Sequence, residues 1–340
     1  MTGFGSMLRD YLEHYKISQT DFADRLGISQ KHMNEIINGK TKISVELMLL
    51  ISLFTDIDAN LIYYAEKRKE TYEELMTKYK TKSEINKMLN SYSLNEMVKR
   101  HWIKLKDSSS FVQNYLDLIE YLGIKDVSMI DNYLNKRYLF KKTGQSNNIK
   151  VYLWVRHCDL MTKNLEINKY NSSRLNELLD ELKIMRMRNF NKEELINLFS
   201  KYGIILYFED ALKGSKVRGC IKVKIDTPVI YMTTYLKEKS SFYFTLYHEL
   251  MHLKTDYNKL KNKTIIEEDG EEDEMDSLAL NEMIDNKTYN SIINNFDKRE
   301  IIALENNIPL CFLYSRLAYN KKISYRSSDY INNREIINLK

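Results

Sequence analysis

The 340-residue sequence predicts a mainly α-helical protein with a small β-sheet, an α+β arrangement. Two observations carry the helical part. Only 10 glycines and 2 prolines interrupt the chain, far below average usage, and apolar residues recur at helical spacing through most of it. A third observation carries the sheet: GIILYF, CIKVKI and PVIYM, between 203 and 232, are short β-branched and aromatic runs separated by turn residues. With 43% hydrophobic residues, the chain can bury two or three separate cores.

From Phe4 to Phe54 the apolar residues fall in short blocks, Leu8 and Leu12, then Phe22, Ala23 and Leu26, then Met33, Ile36 and Ile37, then Leu47, Leu50 and Ile51. These predict four short helices. Residues 61–105 are charged and weakly amphipathic, which predicts connecting helices with much exposed surface, a spacer or an oligomerisation arm. Asp107-Ser108-Ser109-Ser110 caps a further helix, FVQNYLDLIEYL, that stops at Gly123. The polar stretch Gly144 to Asn148 reads as an exposed loop. Helices over 172–185 and 191–201 precede the β runs, and helices over 240–254 and 272–284 follow them, before a helical tail. The expected organisation is 1–60, a helical linker or oligomerisation region 61–149, a third domain 150–325, and a C-terminal tail 326–340.

Within the first domain, SQTDFADRLGISQKHMNEIINGK has the layout of two capped helices joined by a tight turn. Ser18 caps the first, Gly27 supplies a left-handed position, and Ser29 caps the second, which ends at Asn38-Gly39. Burying Met33, Ile36 and Ile37 turns Gln30, Lys31, His32, Asn34 and Glu35 outward. Gln and Asn can make paired hydrogen bonds to adenine, and Lys suits guanine acceptors or phosphate. Gln19 and Thr20, at a helix start, suit phosphate contacts.

The block resembles the Xre (lambda-repressor-like) helix-turn-helix family, and LGISQKHMNEIINGKTKISVELMLLISLF is similar to its HigA-type antitoxin subgroup. The resemblance implies a DNA-binding domain over about the first 60 residues, with double-stranded operator DNA as partner and a possible homodimer on palindromic sites.

The second constellation lies in FYFTLYHELMHL. His248 and His252 are four residues apart in a helical pattern, so both imidazoles leave one face and can bind one zinc ion (Zn2+). Glu249 sits beside them, where a carboxylate can take a proton from activated water and deliver it to a leaving amine. A third metal ligand is required. The acidic run IIEEDGEEDEMD offers many, and the apolar phase of Met275, Leu278 and Ala279 favours Glu274, with Glu271 next. Glu267, Glu268, Asp269, Glu272 and Asp273 read as a solvated acidic loop.

The stretch from Lys213 to Ile284 resembles the ImmA/IrrE family of zinc metallopeptidases, most clearly in VRGCIKVKIDTPVIYMTTYLKEKSSFYFTLYHELMHL. EDEMDSLALNEMI is similar to that family's E-x-E-A-(N/D)-x-F-A block, and the resemblance puts the third zinc ligand on Glu274. Weaker similarity runs from about Lys150 to Arg316. Met275 stands where the family has a small residue, and Met283-Ile284-Asp285 where a Leu-Met-Pro type ending is common. PVIYM has two readings, an edge strand that pairs with a peptide or an ordinary core strand. Tyr231 and Tyr247 are candidate polar groups near the metal, Cys220 is expected to be buried, and His101 and His157 have no spaced partners.

These readings imply a DNA-binding transcriptional regulator with a zinc metalloprotease domain. Its substrate would be a partner protein such as a repressor in a phage, mobile-element or stress-response switch. The alternative is a non-proteolytic HigA-like antitoxin or autorepressor that binds operator DNA and a toxin. A net charge of +5 neither requires nor excludes a polyanionic partner. Cys158, Cys220 and Cys311, odd in number and far apart, give no disulfide framework and suit a reducing compartment. MTGFGSMLRDYLEHYK has no signal-peptide pattern and no stretch reaches the length of a membrane span, so a cytoplasmic location with no membrane partner is expected.

Overall fold

The computed structural model describes residues 3–140, 148–267 and 273–339. The chain forms two compact units, Met1–Gly123 and Ile124–Lys340.

The first unit opens with α1 (Phe4–His14), α2 (Gln19–Leu26), α3 (Gln30–Ile37) and α4 (Val45–Phe54). These are the four short helices that the apolar blocks predict, and Phe4, Leu8, Phe22, Met33, Ile36 and Ile51 meet in their common core. The charged stretch after them forms α5 (Ala59–Lys78), α6 (Lys82–Ser91) and α7 (Leu94–Lys99), followed by α8 (Phe111–Leu122). It is polar only on its outer faces. Ile62 joins the core of α1–α4, α5 packs against α1, α4 and α8, and Leu75, Ile85, Leu89 and Met97 are buried. Ser110 Oγ accepts from Gln113 N at 3.3 Å and Gly123 takes a left-handed φ of 67°, so α8 starts and stops where its capping residues stand.

The second unit begins with α9 (Ile130–Arg137), β1 (Tyr138–Phe140) and α10 (Asn148–Met161). The loop expected at Gly144 lies outside the described residues, except that Asn148 already opens α10. Next come α11 (Leu175–Met185), α12 (Lys192–Lys201), β2 (Ile205–Phe208), β3 (Gly219–Lys224) and β4 (Thr227–Met232). Then follow α13 (Lys239–Thr255), α14 (Tyr257–Leu260), β5 (Thr264–Glu267) and α15 (Asp273–Met283). Four helices complete the unit, α16 (Asn286–Asn294), α17 (Arg299–Glu305), α18 (Leu310–Tyr319) and α19 (Ser328–Asn332).

Among the described residues, five strands lie in the order β1-β5-β3-β4-β2. β3 and β4 form an antiparallel hairpin, β5 pairs antiparallel with β3, and the outer strands β1 and β2 run parallel to their neighbours. The runs read from sequence are β2, β3 and β4. PVIYM belongs to β4, which is hydrogen-bonded on both sides, so of its two readings the core strand holds and the peptide-pairing edge is overturned.

Strand alternation sends β3 residues to two sides. Ile221 and Val223 join the main core with Leu246 and Leu250 of α13, while Lys222 and Lys224 meet Asp159 of α10. The sheet is therefore a wall between α13 and α10. α13 is buried on nearly every side, with α15 and α18 packed against it. The C-terminal tail is not loose: Ile336 bridges Glu238, Lys239 N donates to Glu335 O at 2.8 Å, and Leu339 is buried, which pins the tail to the start of α13.

Candidate functional site

The polar face of α3 is built by local chemistry. Ser18 Oγ accepts from Asp21 N at 3.0 Å and Ser29 Oγ from His32 N at 3.1 Å, so each hydroxyl satisfies a helix-start amide. Gly27 between them takes a φ of 68°, a conformation that a Cβ disfavours. Gly5 fixes how closely α1 approaches α3, since a Cβ there would stand 2.5 Å or less from the carbonyl oxygens of Ile36 and Ile37. With Met33, Ile36 and Ile37 buried, Gln30, Lys31 and Asn34 are exposed and His32 and Glu35 half-buried, while Gln19 and Thr20 are exposed at the start of α2.

Two details of this face go beyond the sequence reading. The Asn38 amide donates to Asn34 Oδ1 at 2.6 Å, which leaves the Asn34 amide nitrogen as its donor toward a base. Arg9, on α1, donates to Asn38 Oδ1 at 3.2 Å and ties the end of α3 to α1. The Arg9 contact has no sequence signal, because it depends on how α1 crosses α3, whereas the Asn34–Asn38 pair is a local i,i+4 contact at the end of α3.

On α13 the His248 and His252 rings lie on one face with centroids 4.9 Å apart. Each ring is steered by a carboxylate: His248 Nδ1 lies 2.9 Å from Asp276 Oδ1, and His252 Nδ1 lies 2.9 Å from Asp256 Oδ2. The His252–Asp256 contact is a hydrogen bond, and a proton shared along it leaves His252 Nε2 as the ligating position, the outer-shell arrangement that metal-binding histidines use, while Asp276 stands beside His248 as a charged neighbour. Glu249 is fully buried. Its carboxylate lies against Gly219, where a Cβ would meet Glu249 Oε1 at 2.7 Å.

The structure thus brings His248, Glu249 and His252 together and adds Asp276, Asp256 and Gly219, which the sequence reading did not name. Glu274 is exposed, not turned inward as the apolar phase implied. The buried residues of α15 are Met275, Asp276, Ala279, Leu280 and Met283, with Leu278 only partly covered, so the stripe is rotated and it is Asp276 that faces α13. Glu271 and Glu272 lie outside the described residues. Among the described residues no group of three or more His, Cys, Asp or Glu side chains is gathered for a metal ion. The donor chemistry of the two histidines fits zinc.

Of the remaining candidates, Tyr231 is on the other side of the sheet, donating to Asp159 Oδ1 at 2.7 Å, and so is not a neighbour of the histidines. Tyr247 packs against Tyr243 in the core, ring to ring at 5.8 Å. Cys220 is buried as expected, and burial pushes its thiol well above the ordinary range. His157 pairs with Glu209 at 3.4 Å, and His101 is exposed.

Residues 8–62 match the helix-turn-helix family, so the N-terminal unit carries a DNA-binding helix-turn-helix of the kind found in transcription regulators. No curated protein and no solved structure matches the chain. Among the described residues, no helix is long and apolar enough to cross a membrane.

Proposed function

We propose that this chain is an operator-binding regulator whose second unit is a zinc metalloprotease directed at a partner protein, such as a repressor. The observation that carries this reading is the pair His248 and His252, each with Nδ1 2.9 Å from a carboxylate oxygen, with Glu249 buried beside them. His248 and His252 would hold the metal through Nε2, with Glu274 as the third ligand assigned by family resemblance. Glu271, next after Glu274 by the apolar phase, is the competing position. When bound, zinc supplies Lewis acidity toward a peptide carbonyl and toward water. Glu249 accepts a proton from the attacking water and passes it to the leaving amine. Gly219 leaves room for that carboxylate, Asp256 holds the His252 imidazole in the ligating tautomer, and Asp276 lies beside His248 Nδ1.

The test is incubation of the protein with the product of the neighbouring gene and zinc. Cleavage by wild type and none by Glu249→Gln, with zinc content unchanged, is expected. Equal cleavage by both would remove Glu249 from this role.

A second reading, a HigA-like antitoxin or autorepressor that binds but does not cut, is favoured by one observation. His248, Glu249 and His252 are each 1% exposed or less, so a peptide has no direct path to them in this conformation. It predicts that operator binding and toxin neutralisation survive Glu249→Gln unchanged.

A further inference from the structure

The face of the sheet opposite Glu249 carries a separate set of charges. Lys222 and Lys224 both bear on Asp159 Oδ1, Lys224 at 2.7 Å. The same oxygen accepts from Tyr231, whose hydroxyl also meets Lys224 at 2.8 Å and Thr162 at 2.9 Å. One carboxylate therefore faces two ammonium groups in a largely covered place. Burial and then the competing charges act on Lys224, whose pKa is lowered despite Asp159. Asp159 is held below the usual carboxylate range because the two lysines outweigh the burial that would raise it.

Beside this cluster is a pocket of about 260 Å³ between α9, α10, β3 and the turn after α14. Among the described residues, its basic lining residues are Arg137, Lys222, Lys261 and Lys263, and Asp159 is the one acidic residue in its lining. Lys261 is engaged with Asp226 at 2.6 Å, an exposed pair that water screens. Three cations converge on the pocket against one shared carboxylate, and that surplus calls for an anion carrying more than one charge. A phosphomonoester carries about 1.5 to 2 negative charges near neutral pH and offers three acceptor oxygens. Those oxygens suit one guanidinium fork and two ammonium points. The volume lies just below the ~300–1,000 Å³ of drug-sized ligand sites, so the occupant is small. Lys222, with only 11% of its side chain exposed, is reachable by a single phosphoryl group entering the pocket and not by the backbone of a duplex.

We infer that this pocket binds a small phosphomonoester, of mononucleotide size or less, through Arg137, Lys222 and Lys263, on the side of the sheet away from the histidine site.

The experiment is calorimetric titration of the full chain at low salt with inorganic phosphate, adenosine monophosphate and adenosine. Saturable binding of the two phosphates and not of adenosine is expected, weakening as salt is raised. The double variant Arg137→Ala, Lys263→Ala removes side chains at the pocket rim and should weaken phosphate binding by roughly tenfold or more, since charge-assisted hydrogen bonds are lost. A circular-dichroism melt matching wild type shows that this variant is folded, whereas Lys222→Met alone could fail by exposing Asp159 to an unbalanced burial. No saturable phosphate binding, equal binding of adenosine, or unchanged affinity in the folded double variant would overturn the inference. So would a double variant that loses duplex DNA affinity while keeping adenosine monophosphate.

Discussion

The Glu249 carboxylate rests on the backbone of Gly219, so near that a Cβ at residue 219 would lie 2.7 Å from Oε1 and 3.1 Å from Thr245 Cγ2. The glycine is needed for space, not for an unusual φ. Gly219→Ala should therefore overpack a closed region and cost about 1–3 kcal/mol, read as a lower urea midpoint with an unchanged slope. Combined with Glu249→Ala, which removes the carboxylate that clashes, the added loss should largely vanish. A double variant that loses the two single effects in full would show that Gly219 and Glu249 are not coupled.

Asp276 and Glu274 stand two residues apart on α15 and point in different directions, one to His248 and one to solvent. Asp276→Asn should weaken zinc binding by about 10–100-fold, the range for loss of an outer-shell carboxylate on a ligating histidine. Competition against a chromogenic chelator measures this. The same assay on Glu274→Gln and Glu271→Gln identifies the third ligand as whichever loses most. Zinc affinity unaffected by Asp276→Asn would remove the orienting role.

Elements governed by neighbours in sequence were legible, and elements governed by distant partners were not. Ser18, Gly27 and Ser29 act within one turn, so the helix-turn-helix could be read residue by residue. His248 and His252 needed only the helical period. β1 and β5 are three and four residues long and exist through pairing with each other across more than a hundred residues and of β5 with the distant β3, so no local alternation announces them. α10 is buried from Val151 to Val155 without a break, which erases the amphipathic period. On α15 a polar residue, Asp276, occupies the buried stripe beside His248, and a phase set by apolar residues alone turned inward a Glu274 that the structure leaves exposed.

The exposed side chains of α3 separate reading from anchoring. Operators selected from randomised duplexes with wild-type protein provide the reference. Gln30→Ala should then cost about 1–3 kcal/mol and relax preference at one base pair, as loss of a paired base contact does. Lys31→Ala should weaken all sequences alike and lower the salt slope by about 1 if the ammonium meets phosphate. A Lys31 variant that changes sequence preference and not the salt slope would reassign it to a base edge.

The hairpin joining β3 and β4 turns through Ile225 and Asp226, with φ of 45° and 65°. Lys224 pairs with Thr227, so the loop has two residues, and both need the left-handed region that suits Asn and Gly. Ile225 is β-branched and 99% exposed, so it bears the backbone strain and gains no packing in return. Ile225→Asn should stabilise the fold by about 1 kcal/mol, because asparagine tolerates this conformation and nothing buried is lost. Glycine should gain less, since its unfolded chain is freer. A thermal melt decides it, and a lower melting temperature for Ile225→Asn would mean that the isoleucine makes a contact worth more than the strain it carries.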